Sequence, residues 1–240
     1  MQFSKRLNNI SEYAFASIAA KIKLAEKTAG RKVLNLGVGS PDFPPSQKYL
    51  DKLKEFIDQP GSHLYPGYGA LPEFSNALKR WYFWRFSVML ENKEIYPLLG
   101  SKEGIANLAL TLLDKNDELL VPDPGYPGFS GPAIMLGAKP VFYDLKESDN
   151  FKINLQELEK KVSRKTKCLW VNFPSNPTGQ AASIKELGAL VDFAKKYQIW
   201  LIYDNAYSEI YFGKVRPPSI LQVKNAWEIA VEIGSFSKTF

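Results

Sequence analysis

The stretch CLWVNFPSNPTGQAASIKELGALVDFAKKYQIWLIYDNAY, residues Cys168 to Tyr207, decides the fold. Its first apolar run, Cys168–Phe173, has strand length, and so does the shorter run Trp200–Tyr203. Between them Ser183–Tyr197 carries apolar residues at helical spacing. Ser183 followed by Glu186 is a capping box, in which hydroxyl and carboxylate satisfy each other's backbone N–H groups. The remaining residues, Asn172 to Gly179, form a loop confined by two prolines.

The same alternation extends outward. Further strands are predicted at Ile95–Leu99, Glu118–Val121, Pro140–Tyr143 and Ile229–Ile233. Helices are predicted over Glu103–Leu113 and Asn154–Val162, the latter opened by a second box, Asn154 with Glu157. Strands alternating with helices imply an α/β fold, a three-layer sandwich around a mostly parallel sheet. Near the N-terminus Ala16–Thr28 reads as a helix stopped by Gly30. The turn-rich stretch Gly37–Pro45 excludes regular structure. The expected organisation is an N-terminal helix and arm over 1–45 and one large domain over 46–240.

Composition sets limits on function. The 240 residues are 45% hydrophobic and 23% charged, which is ordinary for a globular protein with a sizeable core. The net charge of +6 is spread along the chain, with its densest stretch at Lys160, Lys161, Arg164, Lys165 and Lys167. A nucleic-acid protein would concentrate it in a stripe. A mild positive field suits anionic small molecules instead. Cys168, the single cysteine, stands in an apolar run and reads as a buried structural thiol. No apolar leader or membrane-length segment is seen, so a cytoplasmic protein is expected, without membrane or nucleic-acid partners. No metal site is expected.

Ligands in such sheets bind beyond the carboxyl ends of the strands, and the unusual loops fall there. Gly100-Ser-Lys-Glu-Gly104 opens a helix, offering backbone N–H groups and a positive dipole end to a phosphate. Tyr126, in Pro122-Asp-Pro-Gly-Tyr-Pro127, is an aromatic held rigidly enough to stack on a flat ligand, or simply a packed turn. Asn172-Phe-Pro-Ser-Asn-Pro-Thr-Gly179 fixes amide directions. Asp204 ends a strand with Tyr207 following, and Gly234-Ser-Phe-Ser-Lys238 brings an amine to another strand end.

In this order and spacing the loops resemble those of the fold-type I pyridoxal 5′-phosphate (PLP) enzymes. The resemblance is to the class I/II aminotransferases of the aspartate and LL-diaminopimelate type, and it runs from about Val33 to Phe240. It implies that Lys238 forms a Schiff base with PLP and later shuttles a proton. Asp204 would pair with the pyridine nitrogen, Asn176 and Tyr207 with the 3-oxygen, and Tyr126 with the ring face. Ser101, Lys102 and Ser235 would bind the phosphate. Tyr65 would reach the phosphate of a neighbouring subunit, making the active unit a homodimer. Gly39, in Leu36-Gly-Val-Gly-Ser-Pro-Asp-Phe43, would approach the substrate carboxylate, and His63 takes no role. The expected activity is amino transfer between an L-amino acid and a 2-oxo acid.

Members of this family continue well past the lysine. The resemblance therefore places a phosphate-gripping arginine, the small domain and the carboxylate-clamping arginine beyond Phe240, and the 240 residues alone are expected to have little transaminase activity. The alternatives are a PLP-dependent C–S lyase or synthase on the same fold, and an inactive paralogue that binds a partner.

Overall fold

The computed structural model describes residues 2–10, 14–37, 39, 41 and 43–239. Five strands form one sheet in the order β2-β1-β3-β4-β5: β1 (Glu118–Asp123), β2 (Lys139–Asp144), β3 (Thr166–Asn172), β4 (Trp200–Asp204) and β5 (Ala230–Ile233). Every neighbouring pair is parallel. Seven α-helices are described: α1 (Ala14–Ala29), α2 (Gln47–Ile57), α3 (Pro72–Phe86), α4 (Ser101–Leu112), α5 (Ser130–Leu136), α6 (Leu155–Glu159) and α7 (Ile184–Tyr197).

Side chains alternate across a strand, and here both faces are covered. Leu120, Leu169, Val171, Leu201 and Tyr203 join Leu158 of α6 and Leu187, Leu190, Val191 and Ala194 of α7 in one core. Leu119, Val121, Cys168, Trp170, Ile202 and Ile233 join Ile105 and Ala109 of α4 and Ala133 of α5 in the other. This is the three-layer sandwich expected. Cys168 lies inside it, where burial pushes its thiol up to about 12.

Ser183 caps α7 as its sequence predicts, with both bonds of the box formed. Asn154 caps α6 through the Gln156 and Glu157 N–H groups, but Glu157 turns away to pair with Lys160 at 2.6 Å. The helix over Ala16–Thr28 is present as α1.

The strand expected at Ile95–Leu99 is not formed. Ile95 is buried and Leu98 packs against Gly104 of α4, whereas Leu99 is almost wholly exposed, so the segment packs on a helix without joining the ladder. Three helices were not foreseen. Around α3 aromatic residues cover several sides (Trp81, Tyr82, Phe83, Trp84), so no single apolar stripe marks it. α5 starts straight from a tight turn, and α2 directs Tyr49, Leu53, Phe56 and Ile57 to the exterior. Among the described residues no helix is long and apolar enough to cross a membrane.

Candidate active site

The carboxyl ends of three adjacent strands build the site. Asn172 of β3 lies in register with Asp204 of β4, and Asp204 with Ile233 of β5. Asn172 is buried and ties two loops together. Its Nδ2 donates to the Asp204 carbonyl at 2.9 Å, and its Oδ1 accepts the Asn176 N–H at 2.7 Å. The direction of the Asn176 loop is thereby set by the strand end below it. Sequence reasoning gave Asn172 no separate task. Its signal was an amide at the end of an otherwise apolar run.

Asp204 is only 6% exposed. Burial pushes its carboxyl up to about 6, against the Ala206 N–H, which donates to Oδ1 at 3.2 Å, and the charge of Lys238. A carboxylate so placed is stabilised by any cationic N–H brought against it. Lys238 sits in a tight turn following β5, with Nζ 5.8 Å from the centre of the Tyr207 ring. Lys238, Asp204 and Tyr207 thus share one neighbourhood.

The phosphate-binding candidates lie at the start of α4 and just after β5. α4 starts at Ser101, and the first-turn N–H groups of Ser101 and Lys102 have no intrahelical acceptors. At Gly104 a Cβ would lie 2.6 Å from Leu98 Cδ1 and 3.7 Å from Ile233 Cδ1. The Ile233 distance is ordinary van der Waals contact, so the first turn of α4 packs on the end of β5 with the Leu98 side chain over Gly104. Ser235 follows Ile233 by two residues, and its hydroxyl accepts the Ser237 N–H at 3.3 Å.

Tyr126 stands edge-on to Phe129 at 5.4 Å, and Phe129 stacks on buried Trp170 at 4.8 Å. Gly128 lies beneath the Tyr126 ring, where a Cβ would come within 2.3 Å of Cε1. The packed turn and the stacking surface are here one structure, because the ring is held from behind and from below while staying partly exposed.

Two candidates stand apart. Tyr65 is fully exposed, and no hydrogen bond or ring contact joins it to the strand-end cluster among the described residues. Gly39 is exposed in the arm, and its neighbours Val38, Ser40 and Asp42 lie outside the described residues. The arm does reach the site's edge. An open hollow of about 360 Å³ is lined by Pro41, Phe43, Pro44, Pro45, Ser46, Tyr49 and Thr239, the residue after Lys238.

PLP fits this donor set. The helix start and Ser235 suit its phosphate, Tyr126 offers a face to its ring, and buried Asp204 supplies the anion that a protonated ring nitrogen needs.

Comparison with known proteins agrees with this chemistry. Residues 31–240 match the family described as aminotransferase class I and II. An LL-diaminopimelate aminotransferase of Aquifex aeolicus is 41% identical over 240 residues, covering 100% of this chain and 62% of the relative. The chain thus spans about 62% of the length of the curated relatives it matches. The apo form of BacF from Bacillus subtilis superposes with a TM-score of 0.93 at 28% identity, over 100% of this chain and 61% of that one. An aromatic aminotransferase from Pyrococcus horikoshii does so with a TM-score of 0.81 at 30% identity, over 90% of this chain and 59% of that one. The fold, the strand-end cluster and these matches lead to one family: the chain belongs to the class I and II aminotransferases, which are PLP-dependent.

Proposed function

We propose that the protein carrying this chain is a PLP-dependent aminotransferase, moving an amino group between an L-amino acid and a 2-oxo acid through a Schiff base at Lys238. The observation that carries this reading is the placement of an amine beside a buried carboxylate, Lys238 with Asp204, at adjacent strand ends. When bound, PLP supplies an electron sink for the charge left on the substrate α-carbon.

The chain's own residues do the rest. Lys238 would hold the cofactor covalently, and its amine would move the α-proton as general acid and base. Asp204 keeps the ring nitrogen protonated. Tyr207 and Asn176 hydrogen-bond the 3-oxygen, and Tyr126 covers one ring face. The N–H groups of Ser101 and Lys102 and the Ser235 hydroxyl hold the phosphate. Gly39 belongs to the arm that approaches the substrate carboxylate. The working unit in this reading is a homodimer in which exposed Tyr65 crosses to the neighbouring phosphate. The large domain takes in residues 46–240, behind an arm of 1–45. Relatives named LL-diaminopimelate aminotransferase favour a donor of that type. A cytoplasmic setting accords with the single reduced, buried Cys168.

Borohydride trapping tests the reading. PLP added to the protein should give a near-visible absorption band, and reduction should fix the label to the peptide containing Lys238. Lys238→Ala should lose the label. With amino acid added, conversion to a stable amino form of the cofactor is expected, whereas release of pyruvate and ammonia would count against transamination. Labelling that survives in Lys238→Ala would remove the assignment.

A further inference from the structure

Away from the strand-end cluster, polar groups gather on the other face of the sheet, between β5 and α3. The Glu232 carboxylate accepts from the Tyr82 hydroxyl at 2.8 Å, Asn205 Nδ2 at 3.3 Å, the Ser219 hydroxyl at 2.6 Å and the Ile220 N–H at 2.9 Å. Desolvation raises this carboxyl, and its donors pull it back down. One helical turn after Tyr82 comes Arg85, whose side chain is 4% exposed. Its Nε donates to Glu209 at 2.9 Å, and its Nη2 donates to the Ser208 and Pro217 carbonyls at 3.4 and 3.1 Å.

Both anchors grip the same short turn. Asn205 is held at its start through Glu232, and its own N–H donates to the Ile233 carbonyl at 2.9 Å. Ser208 and Glu209 are held at its end through Arg85. Tyr207 stands between them, with its ring facing Lys238 Nζ. Desolvated charges of this kind contribute little net stability compared with apolar packing of the same volume. They do impose direction. A guanidinium fork shared among a carboxylate and two carbonyls admits few alternative turn geometries.

We propose that Arg85 and Glu232 are positioning residues for Tyr207, clamping both flanks of the 205–209 turn onto α3 so that the phenol is held at the cofactor's 3-oxygen. The proposal rests on the reading of Tyr207 as a cofactor partner. Sequence reasoning passed over both residues, because neither lies in a strand-end loop of the expected site.

The test is a spectrophotometric pH titration of bound PLP in the full-length holoenzyme. Removing the phenol's hydrogen bond destabilises the ionised 3-oxygen, so Tyr207→Phe should move the midpoint upward by roughly half a pH unit or more. Arg85→Lys keeps the charge but loses the fork, and Glu209→Gln keeps the packing at a partly exposed position. Each should shift the midpoint the same way. Combined with Tyr207→Phe, neither should add a further shift, because all act through one contact. Loss of stability alone would not move this readout. Wild-type midpoints in Arg85→Lys and Glu209→Gln, beside a shifted Tyr207→Phe, overturn the positioning role alone, as does full additivity in the double variants. An unmoved midpoint in Tyr207→Phe overturns the reading of Tyr207 and this proposal with it.

Discussion

Asp204 is buried at the strand end, and in the proposed reading the apo and cofactor-bound states should respond differently to pH. Its folded-state pKa is raised to about 6. The protonated form is therefore favoured by folding, and its stabilising contribution is fully present below the unfolded carboxylate range and lost as pH rises through about 6. Above that pH the apo-protein carries an ionised, desolvated carboxylate. Asp204→Asn should thus raise apo-protein stability at pH 8, by up to about 3 kcal/mol, and change it little near pH 4. The same substitution should weaken PLP binding, because the ring nitrogen loses its anion. Thermal melts at the two pH values, with and without PLP, measure both effects. An apo melting point at pH 8 below that of the unsubstituted protein would contradict the assignment. The place of this residue was legible in sequence, since a strand-end Asp followed by Tyr207 stands out. The Asn172 bonds were not, because an amide's partners depend on which strands become neighbours.

At the scale of elements, the first turn of α4, packed on the end of β5, is the proposed seat of the phosphate. Gly104→Ala places a Cβ 2.6 Å from Leu98 Cδ1. The end of the Leu98 side chain must shift to make room, so this substitution perturbs the first turn of α4 and tests whether the phosphate sits there. Affinity for PLP should fall while affinity for pyridoxal, which lacks the phosphate, changes much less; equal loss for both would place the phosphate elsewhere. The strands and α7 were readable because apolar runs and a complete capping box mark them locally. Ile95–Leu99 had the composition of a strand but packs on α4 instead of joining the ladder. Helix α3 was hidden by its ring of aromatics, although on it Tyr82 reaches Glu232 of β5 and Arg85 the end of the turn that carries Tyr207. Periodicity reports one buried face, and α3 serves several.

For the whole molecule, the parallel sheet and its two cores follow from alternation along the chain, whereas its assembly does not. Leu64, Tyr65, Tyr68, Trp84 and Leu99 are strongly exposed. If Tyr65 serves a neighbouring subunit, apparent PLP affinity should fall as the protein is diluted through its dimer dissociation range, and Tyr65→Phe should remove that dependence on concentration. Sedimentation run beside the binding titrations checks it. A constant affinity across the dissociation range would confine each site to one chain.

The stack of Phe129 on Trp170 has an optical consequence. Of the five tryptophans, Trp170 is the one sealed from solvent, at 1% exposure, and the aromatic relay through Phe129 ends at Tyr126 on the rim of the site. Its emission belongs at the blue edge of the spectrum, and pyridoxal absorbs in that range. Quenching of this blue emission by energy transfer is the expected signal of ligand arrival, read from the interior of the sheet with no dye attached.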